Sequence, residues 1–182
     1  VTLLNYLRIL DNPLQDIPMA AVLASPIVGM DDEELAQIRS AFKGVSFAQA
    51  VLSAMAGENG YEDEKLKAFA LVFERLRGAV ADTPIHELLY MMLDETGFYR
   101  YASAMPAGKR RRQNIDMLIE MAAAYEKTSY KGLFHFVRYI DIQQKYEIDY
   151  GEADTAGEND DVVRIMTIHK SKGLEFPVVF VS

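Results

Sequence analysis

Across the first 146 residues the apolar positions return every three or four places, from Leu3, Leu7 and Leu10 to Leu66, Phe69, Phe73, Leu76 and Val80. That spacing puts one stripe of each segment against a core only if the backbone is helical, so the bulk of the chain is expected to be an all-helical body. Boundary signals divide it. Ser46 and Gln49 stand at capping-box spacing, Gly57 and Gly60 suit a break, Thr83-Pro84 places a cap residue before a first-turn proline, and Gly97 and Gly108 are read as closing further segments. Helices are predicted over 2–11, 16–24, 32–42, 46–56, 62–81, 84–95, 110–127 and 131–146.

With 182 residues, half of them apolar, the chain can bury one good core, or one core and a fragment of another. A net charge of -8 argues against coating nucleic acid through the overall field, so any DNA contact must come from a local basic patch. The absence of cysteine excludes a disulfide framework, a thiolate metal site and a Cys nucleophile, and fits the cytoplasm. No apolar run approaches the roughly 20 residues that span a bilayer, so no membrane partner is expected. The chain starts at Val1 and stops inside a β-type run at Val178–Ser182, and it reads as a piece of something longer.

The pattern changes class near residue 147. Seven acidic residues and no Lys or Arg lie between Glu147 and Asp161, a composition too polar to bury itself and read as a linker. Val162–Ile168 and Val178–Val181 are then β-branched and apolar on consecutive positions, as in strands covered on both faces of a parallel sheet. Between them His169, Lys170, Lys172 and Gly173 would stand beyond a strand's carboxyl end, where open α/β sheets bind ligands. Lysines and free N–H groups suit phosphate oxygens, Gly173 allows close backbone approach, and Glu175 could accept from a sugar hydroxyl. A solvated βα turn accounts for the same composition equally well.

Other clusters weigh differently. Lys109, Arg110, Arg111 and Arg112 form the dense basic run, followed by Lys127, Lys131 and Arg138 and interleaved with Tyr125, Tyr130 and Tyr139. A DNA backbone contact and a solvated helix start are both open readings, and cations sit awkwardly at a helix N-terminus. His86 and His135 have no carboxylate or second His at ligand spacing, so no metal site is proposed. The clusters at 88–93 and 134–139 fit helical core faces, and Asp31, Asp32, Glu33 and Glu34 fit a helix's first turn.

The run TIHKSKGLEF, Thr167 to Phe176, resembles motif V of the UvrD-like superfamily of DNA helicases. The resemblance implies that Thr167 and His169 contact phosphates of single-stranded DNA, while Lys172, Gly173 and Glu175 face an ATP cleft, Glu175 towards the ribose. LNYLRILDNP, Leu4 to Pro13, is similar to the helix by which such helicases enter the inserted domain called 2B. Gln15–Arg39 and Gly108–Ile140 look most like the AddA (RexA) type of bacterial helicase-nuclease. The implied fold is mainly α: a junction helix at 1–12, a helical 2B-type domain at 13–148, an acidic linker at 149–161, and a short α/β fragment of a RecA-like domain at 162–182. The implied function is a part of an ATP-dependent DNA helicase-nuclease for double-strand break repair. ATP and Mg²⁺ would serve the longer parent and not this piece alone. The implied partners are single-stranded DNA, duplex DNA and a protein of the AddB (RexB) type. The chain also departs from the family. It lacks a GxxxxGK[ST] phosphate loop, so it should not hydrolyse ATP by itself, and Gly29-Met30-Asp31 replaces a Gly-Ile-Gly turn with one whose acid would repel a phosphate. A related helicase without a nuclease, UvrD-like or RecB-like, and a non-enzymatic helical interaction module are the alternatives.

Overall fold

A computed structural model describes residues 1–128, 132–145 and 178–180. Nine α-helices lie among them: α1 (Thr2–Asp11), α2 (Asp16–Leu23), α3 (Asp32–Ala41), α4 (Phe47–Met55), α5 (Glu64–Ala79), α6 (Ile85–Thr96), α7 (Phe98–Ala104), α8 (Gly108–Tyr125) and α9 (Leu133–Lys145). All eight predicted helices are present, with ends within a few residues of expectation. Helix α7 was not foreseen. It has only seven residues, too few for a periodic stripe, and it is joined to α6 through Gly97 alone, whose φ of 62° makes the turn.

Helix α1 is the centre of the packing. Tyr6, Leu7 and Ile9 are fully buried, and the helix lies against α2, α5 and α9. It therefore belongs to the same core as the rest of the helical body. The Tyr6 ring meets Phe69 of α5 edge-on at 5.9 Å. Burial pushes the Tyr6 hydroxyl well above its ordinary range, and that oxygen has no hydrogen-bond partner among the described residues. The ring's apolar burial, of order 2 kcal/mol, offsets the orphaned oxygen. Helix α2 buries Met19, Val22 and Leu23 and packs against α1 and α4, while its Ile17 stays exposed. Its first residue, Asp16, accepts the Ala48 N–H at the start of α4 at 2.9 Å. That bond holds the Asp16 carboxyl below its usual range.

Three boundary expectations need correction. The Ser46 hydroxyl does accept the Gln49 N–H, at 3.2 Å, but the reciprocal capping box is at Asp31 and Glu34. Thr83 does not cap α6. Its N–H still bonds to Ala79 at the end of α5, the cap position is Pro84, and the first amide of α6 is taken by Glu126 from a distant segment. Gly108 opens a helix instead of closing one. A Cβ built there would stand 2.0 Å from the Ser103 carbonyl oxygen, so only glycine lets α8 start against the end of α7.

The two apolar runs expected as strands are not established here. Val162–Ile168 lies outside the described residues. Of the second run, Val178, Val179 and Phe180 are exposed and pair with no strand among the described residues, and Val181 lies outside them.

Candidate nucleic-acid interface

Thr167, His169, Lys172, Gly173 and Glu175 all lie outside the described residues. The basic run is described. Lys109, Arg110, Arg111 and Arg112 occupy the first turn of α8, and all four are exposed. No acidic residue shares that turn, and no side chain caps it. The positive end of the helix dipole therefore carries four cations, the reverse of what favours a helix start.

The local backbone explains how the turn is held. Ala107 adopts a left-handed φ of 57°, which swings the chain from α7 into α8. That conformation opposes an alanine by about 1 kcal/mol. The Arg111 Nε donates to the Pro106 carbonyl at 3.1 Å, clasping the turn from within. Deeper in the hairpin the Tyr99 hydroxyl of α7 donates to Asp116 of α8 at 3.2 Å. Burial and then the Asp116 charge raise the Tyr99 hydroxyl above its ordinary range, opposed by the Arg112 charge. Arg112 thus sits close to the α7–α8 contact, with its side chain exposed. Neither Arg111 nor Arg112 makes an ion pair among the described residues, whereas Lys65, Lys67 and Arg75 of α5 each do.

The more distant basic and aromatic residues do not extend this patch. Lys127 lies beyond the far end of α8, about 27 Å along the helix at 1.5 Å per residue. Tyr125 is buried and packs on Phe136 and Tyr139 of α9 at 5.4 and 5.2 Å, so it belongs to the core. Tyr130 and Lys131 lie outside the described residues. Arg100, exposed on α7 beside α8, is a cation that sequence reasoning passed over. Its signal was hidden because α7 itself was not read as a helix.

Gly29-Met30-Asp31 is a closed turn. Gly29 has a φ of 73°, and the Met30 side chain is buried. The Asp31 carboxylate accepts the Glu34 N–H at 2.8 Å, and Glu34 accepts the Asp31 N–H at 2.8 Å. Lys65 then donates to the Gly29 carbonyl at 2.9 Å and to Glu34 at 2.7 Å. The one nearby lysine is engaged by the protein, and acids dominate what remains.

His86 is not isolated, contrary to the sequence expectation. Its Nδ1 pairs with a Glu126 carboxylate oxygen, and its Nε2 lies 4.0 Å from Glu87. Among the described residues no cluster of His, Asp and Glu is arranged to hold a metal ion. No described helix is long and apolar enough to cross a membrane.

Known proteins place this geometry in context. A family model described as the UvrD-like helicase C-terminal domain matches residues 2–182. Relatives named as the A-type subunit of an ATP-dependent helicase/nuclease are similar over nearly the whole chain. The one from Anoxybacillus flavithermus is 45% identical over 181 residues, the one from Bacillus cytotoxicus 47% over 184, and the one from Bacillus mycoides 45% over 184. Each alignment covers 99% of this chain and 15% of the relative's length. A match that runs from α1 through the region of TIHKSKGLEF, together with identities of this size, shows that the chain belongs to the UvrD-like helicase C-terminal domain family.

Proposed function

We propose that this chain is the 2B-type helical region and motif V of an AddA-like ATP-dependent DNA helicase-nuclease. The observation that carries the reading is the 45–47% identity, over 99% of the chain, to proteins named as the A-type subunit of an ATP-dependent helicase/nuclease. The chain is about 15% of the length of those relatives, so the phosphate loop and the nuclease belong to parts it does not contain. In this assignment residues 1–12 lead from the second motor domain, 13–148 form the 2B-type body, 149–161 form an acidic linker, and 162–182 return to a RecA-like domain. The parent would act in double-strand break repair in the cytoplasm beside a partner protein of the AddB (RexB) type.

Within the returning segment, Lys172, Gly173 and Glu175 serve the nucleotide and Thr167 and His169 serve single-stranded DNA. ATP with Mg²⁺ supplies the phosphoryl chemistry in the parent. A loop that touches both ligands offers a route for coupling, since moving it on the nucleotide side also moves its grip on the strand. Lys109, Arg110, Arg111 and Arg112 then contribute a separate, sequence-independent contact to the DNA backbone. The exposure of all four on an acid-free helix start supports that contact.

The test replaces Lys172 or Glu175 by Ala in the intact parent and measures DNA-stimulated ATP turnover. Turnover should fall at least tenfold, about 1.4 kcal/mol of transition-state stabilisation, while melting of the 182-residue chain stays within about a degree. Undiminished turnover would overturn the assigned roles.

A further inference from the structure

Helix α6 begins without a cap of its own. Pro84 holds the cap position and offers no side-chain bond, so the Ile85 N–H needs an acceptor from elsewhere. Glu126, the residue after α8, supplies it with one carboxylate oxygen and turns the other to His86 Nδ1. A carboxylate at a helix start is favoured by the dipole, and this one arrives from a separate segment.

The neighbouring residue fastens a different helix. Tyr125 packs with its ring tilted against those of Phe136 and Tyr139 of α9. Helix α9 in turn is bound to α1, where Arg8 pairs with Asp141 at 2.6 Å and Leu4 and Leu7 face Phe136 and Ile140 across a small crevice. Helices α6, α7 and α8 pack on one another as a layer, while α1 to α5 and α9 make the base. The broader seam between layer and base among the described residues is α5 against α6, where Arg75 pairs with Glu95 at 2.5 Å.

We infer that Tyr125 and Glu126 form a coupling node at the end of α8, Glu126 tying that end to α6 within the layer and Tyr125 tying it to α9 of the base. The node thereby sets where the start of α8 stands relative to the rest of the body. Its two adjacent side chains engage different helices, so a single displacement of the α8 end disturbs the α6 cap and the α9 packing together. Glu126 acts as a positioning residue, and the inference does not depend on what α8 binds.

Amide exchange and a label distance test this on the 182-residue chain. Because the chain has no cysteine, spin labels at Lys43→Cys and Glu120→Cys report the distance from base to layer. In Glu126→Ala the amides of 85–88 should exchange roughly five- to thirtyfold faster, with α1 and α4 unchanged, and the label distribution should broaden. Glu126→Gln keeps an acceptor for Ile85 but loses the charge facing His86, so it should fall between, as should His86→Ala. Exchange at 85–88 unchanged in Glu126→Ala would overturn the node. So would uniform acceleration in every helix, or opened amides with an unaltered label distance, which would reduce Glu126 to a local cap.

Discussion

Helices α3 and α8 begin in opposite ways. The start of α3 has a full capping box, three acids in its first turn, and Lys65 tying Glu34 to the preceding turn. The start of α8 has four exposed cations, no acid, no side-chain cap, and a left-handed Ala107 before it. Every local preference is met at the first and contravened at the second, within one core. The difference teaches that the α3 start is built for its own stability, whereas the α8 start is held by tertiary contact with α7 and keeps its positive charge turned outward. A site that departs from local preference while staying folded is where binding is expected.

The contrast is broken most severely at Gly108. If tertiary contact with α7 holds the α8 start, Gly108→Ala must push the two helices apart, because the new Cβ would meet backbone, not a movable side chain. The expected loss is about 2–3 kcal/mol of unfolding free energy, read from urea denaturation; a neutral Gly108→Ala would show that the hairpin is not the support. At the other helix Asp31→Ala should lose about 1 kcal/mol, since it removes the cap and leaves the Glu34 amide unserved. The same denaturation measurement should therefore rank the two substitutions in that order.

Charge reversal at the α8 start separates binding from stability. Arg111→Glu places an acid where the dipole favours one but removes the clasp on the Pro106 carbonyl, two opposed effects of about 1 kcal/mol each, so stability should stay within about 1 kcal/mol of the parent. DNA affinity of the intact parent should fall, and the slope of its logarithm against log salt should shrink by about 0.9 for the lost phosphate contact. Stability and binding moving together downward would remove the functional reading of this turn. The smallest effect is with pH. Glu34 is held below the usual carboxylate range first by Lys65, and Asp16 first by the Ala48 N–H. Their folded values lie below their unfolded ones, so their stabilisation is complete above the unfolded value, about 4, and is lost as pH falls through the depressed folded values. Glu34→Gln should flatten the acid limb of the stability curve, whereas Arg111→Glu should leave the part due to Glu34 intact.

Helix periodicity was legible because an apolar stripe leaves its trace in the order of residues. Leu66, Phe69, Phe73 and Leu76 are all buried on one face of α5 as the spacing required. Of the caps drawn from within a segment, Ser46 at α4 was legible, whereas Asp31 at α3 was read only as a first-turn acid and Asp63 at α5 was passed over. Helix α7 was not, because seven residues hold under two turns and the link to α6 is a single glycine. Gly108 was misjudged for a related reason. Glycine marks both a chain reversal and a close approach, and only the position of the Ser103 carbonyl tells them apart.

What sequence alone determined was the helical class of the body, the placement of its acids and cations along each helix, and the kinship carried by TIHKSKGLEF, since each is a matter of residue order. Partnership between distant residues came from the packing of the helices. That Glu126 caps α6 and meets His86 across forty residues, and that Tyr125 is core while Arg111 faces outward, depends on how separate helices are brought together. Partners of that kind are distant along the chain, and their pairing is set by the packing of whole helices, which local spacing does not encode.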